Sequence, residues 1–237
     1  MNLAVIADIH GNLPALEAVL ADIARRGVAQ VVNLGDCVLG PLWPRETCAL
    51  LMTRGFPTVR GNCDRSVATL ALSDMTPLQS YTAGQLEEAQ RRWLGNLPAT
   101  VRLDQGILAV HGRPDDDNRY LLEDMEQGRL VRAPVDAIAQ RLSGTDAALV
   151  LCGHSHQQHM VRLPAGPLVL NPGSVGLSEV GTPHARYALV RCDEGGMTID
   201  LVALDYDHAT AVKRAAANDS TRWAYILATG FTPPADA

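Results

Sequence analysis

Apolar residues recur along the chain with two periods, and the switches between them mark out the elements. Leu3 to Ala7 is almost wholly apolar, the pattern of a strand covered on both faces. Pro14 to Arg26 follows with Leu16, Val19, Leu20 and Ile23 at helical spacing, a proline in the first turn and Gly27 as the stop. Val28 to Leu34 returns to an apolar strand. Strand, helix and strand of these lengths make the crossover unit of a parallel sheet. The Pro/Gly-rich loop Gly40-Pro41-Leu42-Trp43-Pro44 leads to a helix over Arg45 to Arg54, and Thr58-Val59-Arg60 reads as a third strand.

Residues 66–99 are helical in pattern, most clearly over Thr82 to Leu94, and are expected as an outer layer. Val101 to Leu103 and Ile107 to Val110 predict a hairpin across Asp104-Gln105-Gly106. In the polar stretch 113–146, helical pieces are expected at Tyr120 to Met125 and Val135 to Leu142, as outer layer or partial cap, with Asp115-Asp116-Asp117 as a solvated turn. Ala147 to Cys152 is a strongly apolar strand, Met160 to Leu163 and Leu168 to Leu170 form a hairpin, and Arg186 to Arg191 pairs with Met197 to Leu204 across Gly195-Gly196. His208 to Leu227 is helical. No linker, repeat or composition shift divides the chain, so a single α/β domain over residues 1–237 is expected.

Composition narrows the function more than the fold. With 47% hydrophobic and 19% charged residues, the 237-residue chain can bury a substantial core. The net charge is −6 and the basic residues are scattered, which argues against a polymeric nucleic acid as main partner. No cationic leader precedes the first strand and no apolar run is long enough for a bilayer, so a soluble, cytoplasmic protein without a membrane partner is expected. Cys37, Cys48, Cys63, Cys152 and Cys192 are odd in number and include no CxxC pair, against both a disulfide framework and a thiolate zinc site.

The candidate chemistry sits where strands end. Asp8-Ile9-His10 follows the first strand, and strand alternation would put Asp8 and His10 on one side. Gly35-Asp36 closes the second, Gly61-Asn62-Cys63-Asp64 the third, His111-Gly112 the hairpin strand, and Gly153-His154-Ser155-His156 the strand after it. Turn chemistry explains any one of these blocks, but not their repetition at successive strand ends. Asp8, His10, Asp36, Asn62, His111, His154 and His156 are too many ligands for one ion, whereas two ions sharing a bridging carboxylate would use them all.

In order and spacing these blocks resemble the calcineurin-like metallophosphoesterases, and Asn171-Pro172-Gly173-Ser174-Val175-Gly176 resembles the small bacterial phosphodiesterase and phosphatase branch. The resemblance implies a two-sheet β-sandwich flanked by helices, with metals at the strand ends. It implies that Asp8, His10 and His156 hold one metal, Asn62, His111 and His154 the other, and that Asp36 bridges. A nitrogen and oxygen donor set without thiolate suits Mn²⁺ in the assay tube, with iron, zinc, nickel or cobalt as alternatives. The expected activity is hydrolysis of a small phosphoester by a hydroxide held between the ions, on a monoester, a diester, a nucleotide or a dinucleoside polyphosphate.

Cys63 departs from the family's commoner pattern, in which a histidine at this position contacts phosphate. A thiol is a poor acid catalyst, so substrates with good leaving groups, diesters or anhydrides, are expected. Asp36, Asn62, Asp64 and Cys63 are the expected catalytic set, with Asp64 orienting a neighbour, and Asn12, Cys63 and Arg65 the expected substrate contacts. Ser155 and Ser174 read as turn residues, and His159, His184 and His208 lack motif support. The competing reading is a non-enzymatic interaction or regulatory module that keeps this fold with an eroded site; the intact ligand set argues against it. Self-association is left open.

Overall fold

A computed structural model describes residues 1–234, with Gln105 by its backbone alone. The expected mixed α/β sandwich is the observed architecture. Strands β1 (Asn2–Ile6), β2 (Gln30–Asn33), β10 (Ala185–Asp193) and β11 (Gly196–Leu204) form one sheet in the order β11-β10-β1-β2. The second sheet joins β3 (Thr100–Leu103), β4 (Ile107–Val110), β7 (Leu149–Leu151), β8 (Gln158–Arg162) and β9 (Leu168–Pro172) in the order β3-β4-β7-β9-β8. β1 runs parallel to β2, and β4, β7 and β9 run parallel to one another.

Period-two alternation divides the apolar residues between layers. Leu3, Val5, Ala7, Ala188 and Val190 meet Ile107, Ala109, Leu149, Leu151, Leu168 and Leu170 in the core between the sheets. The alternate residues Ala4, Ile6, Tyr187 and Leu189 face helix α1 (Leu13–Arg25) and its neighbours. On the far face of the second sheet, Leu108, Val110, Val150 and Val169 pack under α6 (Val135–Arg141). The near-continuous apolar runs of β1, β4 and β7 follow from this double coverage.

Residues 66–99 build an outer helical layer through α3 (Asn62–Thr69), α4 (Pro77–Gln85) and α5 (Glu88–Asn96), next to α2 (Pro44–Arg54). The single helix expected over Thr82 to Leu94 is two, broken at Leu86 and Glu87, where the Gln90 side chain takes the Glu87 N–H at 3.0 Å. The helix expected at Tyr120 to Met125 is a strand: β5 (Glu123–Glu126) pairs with β6 (Arg129–Arg132) across Gln127 and Gly128, both left-handed at φ 48° and 77°. Glu123 opposes Arg132 and Glu126 opposes Arg129, cross-strand charge pairs that favour this register. Thr58 to Arg60 makes only a bridge from Thr58 to Asn33, because the Arg60 N–H leaves the sheet for the Pro98 carbonyl. The C-terminal helical segment is two helices, α7 (His208–Ala217) and α8 (Thr221–Thr229), with Asp219 between them at φ 56°. No helix is long and apolar enough to cross a membrane among the described residues.

Candidate metal centre

The carboxyl ends of β1, β2, β4 and β7 meet on one side of the sandwich, and each delivers polar side chains there. Strand alternation does not bring Asp8 and His10 together, since β1 ends at Ile6. Asp8, His10, Asp36, His154 and His156 instead hold left-handed φ angles of 54°, 52°, 53°, 69° and 59°. They are five of the seven non-glycine residues with positive φ among the described residues. Such backbone costs on the order of 1–3 kcal/mol per residue and persists where the surroundings enforce it. Here Asp8 N–H donates to Gly35 O at 2.9 Å, His10 N–H to Asp36 O at 2.9 Å, and the Ser174 hydroxyl to Asp8 O at 2.7 Å.

The side chains fall into two groups around Asp36. In the first, His10 Nε2 lies 3.0 Å from His156 Nε2 and 3.8 Å from Asp36 Oδ2, and His156 Nε2 lies 3.5 Å from Asp8 Oδ1. In the second, His111 Nε2 lies 3.5 Å from Asp36 Oδ2 and 3.0 Å from Asn62 Oδ1, with the His154 ring 5.0 Å away between centroids. Two glycines make room for the carboxylates. A Cβ at Gly61 would stand 2.1 Å from Asp36 Oδ1, and one at Gly153 2.8 Å from Asp8 Oδ2.

The donor chemistry fits divalent cations. His10, His111 and His156 turn Nδ1 to the carbonyls of Leu39, Leu34 and Leu177 at 2.8–2.9 Å. A carbonyl only accepts, so the proton sits on Nδ1, and the neutral rings of His10 and His156 present their Nε2 lone pairs to the cluster. Two lone pairs 3.0 Å apart repel unless positive charge lies by them. Asp8, Asp36 and Asp64 are buried, yet among the described residues no lysine or arginine forms a salt bridge with any of them. Buried carboxylates without such partners are held by a cation or by protons.

Ionisation follows the same logic. Burial, with Asp36 and Asp64 near, pushes Asp8 well above the carboxylate range, and burial with Asp36 raises Asp64 to about 7. Burial would raise Asp36 too, but His111, His10 and a hydrogen bond from the Cys63 thiol hold it far below. Burial lowers His10, takes His154 down to about 4 and His156 to about 3, so these rings are neutral. Burial opposes charge on His111 as well, and Asp36 overrides it and raises that imidazole to about 10.

The sequence model of the calcineurin-like phosphoesterase superfamily domain matches residues 1–195. The chain belongs to that superfamily. This superfamily member resembles a metallophosphoesterase from Sphaerobacter thermophilus with a TM-score of 0.78 and 26% identity, over 97% of this chain and 99% of that one. A hypothetical protein from Pyrococcus horikoshii shares the fold at a TM-score of 0.80 and 21% identity, over 98% and 99%. An uncharacterized protein of Methanocaldococcus jannaschii is 28% identical over 247 residues, 93% of this chain and 94% of its own. The structural likenesses cover more than the matched domain and run into the C-terminal helices.

All seven expected metal ligands gather at the strand ends. The expected substrate contacts do not gather in the same way. Asn12 is buried and caps α1, accepting from Ala15 N–H while its amide donates to Gly176 O at 2.8 Å and Tyr206 Oη at 3.0 Å, so it offers a substrate no free group. Arg65 makes a two-pronged pair with Asp117 at 2.7 and 2.8 Å, and Asp117 is therefore no mere solvated turn residue. Cys63 is half-buried in the cluster with His10 and Asp36, and burial beside Asp36 pushes its thiol well up, so it stays protonated. Asp64 accepts from Cys37 N–H and Gly61 N–H at 2.9 and 3.1 Å, tying the two loops that carry Asp36 and Asn62. His184 pairs with exposed Asp205 at 2.9 Å on the surface.

Sequence reasoning missed three contacts. Tyr120 stacks on His154, Trp223 stands edge-on to His10, and the Asn171 amide holds Gly153 O and Ser155 Oγ beneath the histidine pair. Only Asn171 lay in a recognisable block; an aromatic in a polar loop or a helix has no spacing signal of its own.

Proposed function

We propose that the chain is a dinuclear, metal-dependent phosphohydrolase acting on small phosphoesters. The observation that carries this reading is the set of buried carboxylates without lysine or arginine partners among the described residues, met by imidazoles whose Nε2 atoms converge on them. Asp8, His10 and His156 would hold one ion, Asn62, His111 and His154 the other, and Asp36, which faces both groups, would bridge. Two divalent cations bound there would draw in phosphoryl oxygens, neutralise charge developing at phosphorus and supply hydroxide near neutral pH.

The chain's own residues prepare that chemistry. The Cys63 N–H and Asp64's loop contacts fix Asp36 and Asn62 in place. Cys63 offers a thiol where an imidazole would be the stronger proton donor, which favours substrates whose leaving oxygen needs little protonation, such as aryl diesters and anhydrides. Nucleotides and dinucleoside polyphosphates meet that condition. Arg65 would meet the phosphate by exchanging Asp117 for it. The nitrogen and oxygen donors support Mn²⁺ as the assay metal, and five unpaired cysteines support a cytoplasmic setting.

The test is hydrolysis of nitrophenyl phosphodiester and monoester by protein stripped of metal and reloaded with Mn²⁺. Turnover is expected only with metal, faster on the diester. Asp36→Asn and Asn62→Ala should each lower it by about a hundred-fold or more, the scale of losing one electrostatic stabiliser. Wild-type turnover in both variants would refute the assignment, and metal-independent turnover would do so too.

A further inference from the structure

Each group of imidazoles is touched by one aromatic ring that no motif block supplies. Trp223, on α8, stands edge-on to His10 with ring centroids 5.8 Å apart and planes at 74°. It also closes over Gly40, where a Cβ would lie 3.0 Å from the indole and 2.5 Å from His10 O. His10 Nδ1 meets Leu39 O at 2.9 Å, so residues 39 and 40 are clamped between imidazole and indole. The helical pair is pinned to the same loop: Arg214 Nε donates to Leu42 O at 3.1 Å and Asn218 Nδ2 to Pro41 O at 2.7 Å.

On the other side Tyr120 stacks on His154 at 4.5 Å with planes 24° apart. His154 is the one cluster histidine that is only half-buried, so its ring depends more than the others on a covering group. Tyr120 is fixed for that task. Arg113 Nε donates to its carbonyl at 2.9 Å, and the loop folds back so closely that a Cβ at Gly112 would lie 2.6 Å from Arg119 O.

A metal ligand binds tightly when its ring is already held in the coordinating orientation, because less rotational freedom is lost on binding. We propose that Trp223 and Tyr120 are positioning residues, one for each metal: Trp223 sets His10 in the group with Asp8 and His156, and Tyr120 sets His154 in the group with Asn62 and His111. The inference rests on the two-metal reading above. It makes the affinities of the two ions separately adjustable, the first by C-terminal helices outside residues 1–195 and the second by the 113–120 loop.

Single-group backgrounds test it. His154→Ala leaves the first group intact and His156→Ala leaves the second, and Mn²⁺ binding to each is followed by the loss of the free-ion electron paramagnetic resonance signal. Trp223→Ala should weaken binding by about tenfold in the His154→Ala background and leave it unchanged in the His156→Ala background; Tyr120→Ala should do the reverse. Trp223→Phe and Tyr120→Phe, which keep a ring, should restore affinity to within about threefold of the parent, on the same scale. Trp223→Leu keeps apolar volume without the ring and serves if the alanine variant fails to fold. Unchanged affinity, or equal weakening in both backgrounds, overturns the proposal. Two ions bound by wild type with no response to the Trp223 or Tyr120 variants sinks this inference alone, whereas a wild-type chain that binds no Mn²⁺ sinks the two-metal reading as well.

Discussion

Asp22 lies on the core face of α1, where an isolated carboxylate would be strongly unfavourable. It is buried and takes hydrogen bonds from the Tyr187 hydroxyl, Arg25 and Arg26, the last at 2.7 Å. Burial alone would raise its pKa, but the bonds from Tyr187 and Arg26 outweigh that and hold it below the usual carboxylate value. Its folded pKa thus lies below the unfolded value of about 3.9, so the stability it adds is present above that pH and lost as pH falls through the folded value. Asp22→Ala strands the Tyr187 hydroxyl and should lower unfolding free energy at pH 7 by about 1–3 kcal/mol. Urea melts should show the gap to wild type narrowing below pH 4; a constant gap would exclude the carboxylate as its source. Gly61 gives a different residue-scale test. Its φ of −81° suits alanine, so Gly61→Ala strains no backbone and acts through the 2.1 Å clash with Asp36. Turnover should fall by about a hundred-fold with secondary structure retained by circular dichroism. Gly27→Ala, strained at φ 70° but facing open space, should instead cost about 1 kcal/mol and leave turnover alone.

Among the elements, most strands and helices were legible from periodicity, and the exceptions are instructive. The break between α4 and α5 hides because Leu86, Trp93 and Leu94 continue a helical apolar pattern across it. A new helix starts there instead, since Gln90 caps α5 by taking the Glu87 N–H, and a tertiary bond holds it, buried Gln90 donating to Arg45 O at 2.9 Å. Gln90→Ala removes both bonds and should lower the melting midpoint by roughly 2–6 °C, read by differential scanning calorimetry. An unchanged midpoint would mean that the break is set by the backbone alone. The β5–β6 hairpin and the α7–α8 break did carry local signals, Gln127-Gly128 and Asn218-Asp219-Ser220, which a reading by apolar period passes over.

For the whole molecule, the parallel strands of both sheets point their carboxyl ends to one rim, and the loops there are bound to one another across the sandwich. Val175 N–H to Ala7 O, Gly153 N–H to His111 O and Cys37 N–H to Asp64 Oδ1 each join segments far apart in sequence. Cations held at that rim would cross-link all of these loops and stabilise only the folded chain. Saturating Mn²⁺ at about 100 times its dissociation constant should therefore add roughly 2.7 kcal/mol, a rise of about 5–10 °C in melting midpoint over protein in chelator. An unmoved midpoint would count against any cation at the rim.

Much of this was present in the chain alone. Runs of apolar residues specified strands covered on both faces, and Asp, His and Asn immediately after them specified which ends carry the candidate metal ligands, because both are local properties of a few consecutive residues. The means of convergence was not. Asp8 with His10 and His156, and His154 with Asp36 and His111, come together through left-handed backbone that a flat alternation rule does not anticipate and that cross-sandwich hydrogen bonds sustain. Asn12 caps a helix, Arg65 pairs with Asp117, and Trp223 and Tyr120 meet the histidines for the same reason. A side chain's partner is settled by which surfaces meet when distant segments pack, and no short stretch of sequence contains both surfaces.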